Sequence, residues 1–131
     1  MWVRFGGYAG WLLTIGQSDF NIPSSGTGVP LIESQWGKIS PYLRLTRYEG
    51  DVLQAATNEQ GQAVVSYLEN STLPERFSGH YDPTAQWASF LQENGDTWEV
   101  PVTTVISRTE ALSIIESHLS TGRPTGVTGI N

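Results

Sequence analysis

Cysteine is absent from this 131-residue chain, which excludes a disulfide framework and a zinc site built on thiolates. Histidine is scarce, with only His80 and His118. Two imidazoles far apart in sequence, without thiols to help them, give no metal-ligand spacing. Charge is sparse as well, at 15% of residues, and cations are the scarcer sign: 7 Lys and Arg against 13 Asp and Glu. No long apolar run occurs. The stretch Tyr8–Ile15 is broken by Gly10 and falls far short of the roughly 20 residues that span a bilayer. It lacks the clean apolar core and small-residue cleavage site of a signal peptide. It reads as an N-terminal strand of a soluble, cytoplasmic protein that does not bind a membrane.

The negative charge is unevenly placed. Residues 1–57 carry four basic and four acidic side chains, whereas residues 58–131 carry three against nine. The whole net charge of −6 therefore belongs to the C-terminal part. Such a surface repels nucleic-acid phosphates, whose binding depends on Lys and Arg, and attracts a basic partner. Direct nucleic-acid binding is not expected.

What the chain does have is glycine, proline and aromatics: 14 Gly, 7 Pro and five tryptophans. The length suits one domain, 1–131. Residues 1–41 read as a loop-rich N-terminal part, because Gly16, Pro23, Gly26, Gly28, Pro30, Gly37 and Pro41 punctuate regular structure. "NIPSSGTGVP" is expected as a surface loop, and "LIESQWGKI" as one or two helical turns. From residue 42 to 104 the pattern has period two. "YLRLTRY" puts Leu43 and Leu45 on one face and Tyr42, Arg44 and Thr46 on the other. "DVLQAAT" and "QAVVSYLEN" follow as strands, joined by turn-rich segments. A long connection leads to residues 86–92 and 97–104, which should pair about Asn94-Gly95, since that dipeptide supplies the two positive φ angles of a type I′ turn. Pro101 cannot donate to a ladder and belongs at an edge or bulge.

Residues 107–121 form the clearest helix. Ser107 and Glu110 make a capping box. Ala111, Leu112, Ile115, His118 and Leu119 fall in one stripe. Gly122 and Pro124 stop the helix. His118 is expected half-buried and hydrogen-bonded. The fold class is α+β: an antiparallel meander of about five strands with the C-terminal helix packed on one face. A C-terminal extension, 122–131, follows, with Arg123–Val127 expected to be ordered.

No constellation for catalysis emerges, and no cofactor is implied. Ser78, His80 and Asp82 lie within five positions of one segment and cannot assume triad geometry. No HExxH, calcium-loop or phosphate-loop motif is present. Asp96 with Glu99, or Glu93 with Asp96, could approach each other across the Asn94-Gly95 turn, as glycosidase carboxylates do, so a hydrolase is one alternative. A small-ligand or carbohydrate-binding domain using exposed tryptophans is another. Trp2, Trp11, Trp36 and Trp87 are expected in the core. Trp98, beside Asp96 and Glu99, is expected to be exposed, as an aromatic anchor ringed by acids.

The order of motifs in residues 41–128 resembles the Imm1 family of bacterial immunity proteins. The residues that carry it are Tyr67-Leu68, Asn94-Gly95, Val100-Pro101-Val102, Glu110-Ala111-Leu112 and Thr121-Gly122-Arg123-Pro124. The resemblance implies a non-enzymatic antitoxin of a polymorphic toxin system. It would bind a cognate toxin domain, often a nuclease or deaminase with a basic cleft, and block its active site. The partner-binding surface is placed on the 69–82 loop and the 92–99 hairpin: Glu69, Glu75, Asp82, Glu93, Asp96 and Glu99 for charge, Tyr81 and Trp98 as anchors.

Overall fold

A computed structural model describes residues 10–22, 25–47, 50–70 and 72–129. The expectation for Trp2 lies outside this set. The class is α+β, with antiparallel pairing between all the strands. The strands outnumber the expected five. They are β1 (Trp11–Ile15), β2 (Ser18–Ile22), β3 (Tyr42–Arg47), β4 (Val52–Thr57), β5 (Gln62–Glu69), β6 (Thr72–Ser78), β7 (Trp87–Leu91), β8 (Thr97–Pro101), β9 (Ile106–Ser107) and β10 (Val127–Gly129). The main sheet runs β10-β6-β5-β4-β3-β1-β2, with β9 added to β5. The β7–β8 hairpin is a separate two-stranded sheet instead of a continuation of the meander.

Three strands form where period two placed them. Leu43, Leu45, Leu53, Ala55, Ala63 and Val65 all point into one core, beneath helix α2 (Arg108–Thr121). The capping box is present, with Glu110 N–H donating to Ser107 Oγ at 3.1 Å and Ser107 N–H to Glu110 Oε1 at 3.2 Å. Gly122 closes the helix at φ 81°, its N–H bonded to the His118 carbonyl. Ala111, Ile115 and Leu119 are buried as expected. Ile114 joins them, while Leu112 is only half-buried.

The expected loop at 21–30 is corrected by helix α1 (Ser25–Gln35), which contains Gly26, Gly28 and Pro30. Glycine and proline each weaken a helix interior, proline by roughly 3 kcal/mol. Packing outweighs that here. A Cβ on Gly28 would stand 2.7 Å from Ile22 Cγ2 and 3.1 Å from Leu119 Cδ1, so glycine is what lets α1 lie against α2. Ile32 and Trp36 then reach the same core. Arg108, at the start of α2, donates to the carbonyls of Glu33 and Trp36 at the far end of α1.

The expected 69–82 loop is also corrected, since half of it is β6. Pro74 disguises this strand. Among the described residues β10 pairs with Arg76, Phe77 and Ser78 and not with Pro74, which lies beyond that ladder, where a proline is tolerated. The described part of the C-terminal extension, residues 122–129, packs back on the domain. Thr125 N–H donates to Ser117 Oγ at 2.9 Å, and β10 completes the sheet edge.

The opposite face of the sheet carries a second, smaller core. Tyr42, Ala56, Val64 and Phe77 meet Phe90, Trp98 and Val100 of the β7–β8 hairpin. The order is thus helices, main sheet, hairpin. A buried hydroxyl ties the layers: Ser78 Oγ accepts from Val65 N–H at 3.0 Å and donates to the Thr104 carbonyl at 2.7 Å. Ser78→Ala leaves the Val65 donor buried and unpaired. It should cost about 1–3 kcal/mol, measured as a lower urea midpoint at unchanged m-value.

Candidate functional site: the outer face of the hairpin

Asn94 and Gly95 take φ 65° and 78°, and Asp96 N–H closes on the Glu93 carbonyl, so the turn is the expected type I′. The cross-strand register Trp87↔Pro101, Ser89↔Glu99, Phe90↔Trp98 and Leu91↔Thr97 fixes which side chains share a face. Ala88, Phe90, Trp98 and Val100 point toward the sheet. Trp87, Ser89, Leu91, Thr97 and Glu99 point outward.

This register corrects the tryptophans. Trp98, expected to be exposed, is 9% exposed and packs in the second core. Trp87, expected in the core, is 47% exposed. The sequence held the signal: in "TWEVP", Trp98 shares its parity with Val100, and Thr97 shares its own with Glu99. The acids beside Trp98 belong to the other face, because successive strand residues alternate. Trp11 and Trp36 are buried as expected.

Tyr81 is half-buried. Its ring lies 4.8 Å from that of Phe77 and 6.4 Å, edge-on, from that of Trp87. Asp82 accepts from Thr84 N–H at 3.0 Å and Thr84 Oγ1 at 2.7 Å, and these bonds hold its carboxyl below the usual range. Glu99 accepts from Ser89 Oγ on the neighbouring strand. Asp96 is exposed at the turn. Leu91, which the sequence reading passed over, is 50% exposed, and Val102, just past β8, is 41% exposed. Trp87, Leu91, Glu99 and Asp96 thus form an apolar and acidic surface, with Tyr81 bracing one end.

Not every expected site residue joins it. Glu93 makes an ion pair with Arg44 of β3 and pins the turn against the sheet. Glu75 accepts from Gln54 Nε2 at 3.4 Å. Gln54 Oε1 in turn accepts from the Tyr42 hydroxyl, which burial holds above its ordinary pKa. These residues form a polar row beside the hairpin. Glu69 lies elsewhere, 3.4 Å from Arg123 beyond α2. Glu93 is therefore engaged by Arg44 and Glu99 by Ser89, whereas Asp96, common to both carboxylate pairs read from the sequence, stays exposed at the turn.

A second polar cluster is buried between α2 and the sheet. Arg47 Nη2 donates to Asp51 at 2.7 Å and to the Gly122 carbonyl at 3.0 Å, and its guanidinium lies 4.4 Å from the Trp11 ring centre. Burial pulls the Asp51 carboxyl up, but bonds from Arg47 and Asn70 N–H outweigh this and hold it low. Burial, with the Asp51 charge, pushes Tyr67 up to about 12. His118 is fully buried, not half-buried, with ring centres of Trp11 at 4.6 Å and Tyr67 at 5.1 Å. Neither imidazole nitrogen meets a hydrogen-bond partner, which corrects the expected hydrogen-bonded histidine. The helix stripe showed that His118 faces inward; that it packs against the rings of Trp11 and Tyr67 depends on distant β1 and β5.

Among the described residues, no group of three or more His, Asp or Glu could hold a metal ion. Among the described residues, no helix is long and apolar enough to cross a membrane. No family model matches the chain, and no curated protein matches it.

Proposed function

We propose that this protein is an immunity protein that binds a cognate bacterial toxin and inhibits it by covering the toxin's active site. The toxin would be one that acts on nucleic acid, as a nuclease or deaminase does. The observation that carries the reading is the outer face of the hairpin: Trp87 and Leu91, both about half exposed, beside Glu99 and Asp96, with no Lys or Arg on either strand. Large aromatics at the centre of a patch supply most of the affinity in protein interfaces. Carboxylates around them steer a basic partner and speed its association. A cleft shaped to hold nucleic acid is basic, so an acidic hairpin is complementary to it. The motif order over residues 41–128 supports the same reading.

The carbohydrate-binding alternative needs two tryptophans side by side on an exposed face. Among the described residues Trp87 is the one exposed tryptophan, so no observation favours that reading over protein binding.

The experiment is titration of the purified protein against the toxin domain encoded beside its gene, with toxin activity followed in parallel. Binding tighter than micromolar with matching loss of activity is expected, and no binding at that concentration sinks the proposal. Trp87→Ala should weaken binding by roughly 100-fold, a loss of about 3 kcal/mol for a central aromatic. It should leave the melting temperature nearly unchanged. Trp98→Ala should do the reverse, costing about 3–5 kcal/mol of stability as a core truncation.

A further inference from the structure

A groove of about 520 Å³ runs between β7 and the β4–β5 turn. Its size falls in the range of pockets that hold a ligand. Phe90, Leu91 and Pro41 give it an apolar lining, and Ser89, Thr97 and Glu59 give it polar atoms. No Lys or Arg lines it. The Glu59 carboxylate is exposed, and no described residue forms an ion pair or hydrogen bond with it. Ser89, which lines the groove, donates its hydroxyl to Glu99, so a second carboxylate lies one side chain away from the lining. We propose that this groove is a receptor for a single arginine side chain projected by the protein partner; the partner itself rests on the reading of the hairpin as a docking surface.

The chemistry selects arginine over other side chains. Its methylene stem covers apolar surface while its head stays polar. Its guanidinium is planar, weakly hydrated and able to lie against an aromatic ring, unlike the compact ammonium of lysine. Its fan of donors suits the mixture of carboxylate and hydroxyl oxygens that Glu59, Ser89 and Thr97 bring to the lining. A partner with a basic cleft offers such side chains. The groove opens beside Leu91, so an arginine seated in it would lie next to the Trp87–Leu91 patch and fix the register of the two proteins.

The test uses the whole ¹⁵N-labelled chain and N-acetyl-arginine amide as the probe. Saturating shifts are expected at the amides of Gln60, Ser89, Leu91 and Thr97. N-acetyl-lysine amide should bind more weakly, and N-acetyl-norleucine amide should cause no saturating shift there. The double variant Glu59→Gln/Glu99→Gln, both positions being exposed, should weaken the arginine probe by roughly tenfold or more, the loss of about one charged contact. Shifts elsewhere, equal response to norleucine, or full binding by the double variant would each overturn the proposal. The toxin is not needed, so the groove can fail while toxin binding stands, or stand while toxin binding fails.

Discussion

Lowering the pH from 7 to 4 should remove about 3 kcal/mol of stability through His118 alone. The imidazole sits between Trp11 and Tyr67 with no acceptor for a proton, and burial, with the nearby Arg47 charge, pushes it down from 6.5 to about 4. Above pH 6.5 the ring is neutral in both the folded and unfolded chains and contributes no pH dependence. Between 6.5 and 4 the unfolded chain takes up a proton that the folded one refuses. Stability then falls as pH falls, by about 1.4 kcal/mol per unit, and levels off below 4. Asp51, held low by Arg47 and the Asn70 amide, loses its contribution only below the ordinary carboxylate range, outside most of this window. His118→Leu removes two buried nitrogens that lack partners, and such a replacement can be nearly neutral or stabilising at pH 7. Urea midpoints from pH 4.5 to 7.5 should slope for the parent and run flatter for the leucine variant. Identical slopes would falsify the assignment.

Gly79→Ala should cost still more in proportion to its size. Gly79 takes φ 64°, a conformation that costs an L-residue roughly 1–2 kcal/mol. An added Cβ would also stand 2.3 Å from the Thr103 carbonyl oxygen and 3.1 Å from Thr104 Cα, both backbone atoms that cannot rotate away. That approach is held from both sides, by His80 N–H on the Thr103 carbonyl at 3.0 Å and Ser78 Oγ on the Thr104 carbonyl at 2.7 Å. Relieving the overlap breaks those bonds, so a total of about 3–5 kcal/mol is expected, a large part of a typical domain's stability. Gly95→Ala is the control. Gly95 has φ 78° but nothing within 4 Å of its Cβ position, so it should lose only the conformational part. Equal drops in melting temperature for the two variants would mean that the close approach at Thr103 contributes nothing. Since residues 102–104 lead directly out of β8 toward β9, Gly79→Ala should also broaden the amide resonances of the hairpin.

The parts of the fold that could be read in advance were those specified locally. Strands β3, β4 and β5 alternate between the two faces of the sheet, with Leu43, Leu45, Leu53, Ala55, Ala63 and Val65 on the face beneath α2. Helix α2 announces itself by Ser107, Glu110 and Gly122, each of which acts within one turn. Helix α1 could not be read this way, because Gly26, Gly28 and Pro30 speak against a helix locally. It forms because Gly28 admits Ile22 and Leu119, from a strand and a helix far apart in the chain. Strand β6 was hidden for a similar reason, Pro74 being harmless only where β10 ends.

The candidate site shows the same division. The type I′ turn was legible from two residues. The exchange of Trp87 for Trp98 was legible from parity, yet neighbouring acids suggested exposure, and neighbours along a strand say nothing about a side chain's own face. The groove beside β7 was not legible at all, since it is made by bringing 89–91 against 57–60 and 37–41.

The hairpin meets the rest of the molecule through side chains, with no ladder pairing to the main sheet. Its inward residues keep it in place, and its outward residues support neither core. Positions 87, 89, 91, 97 and 99 can therefore change their chemistry while the scaffold keeps its stability. A family of chains built on this frame could diverge in partner choice at those five places alone, the way interchangeable bits are fitted to one handle.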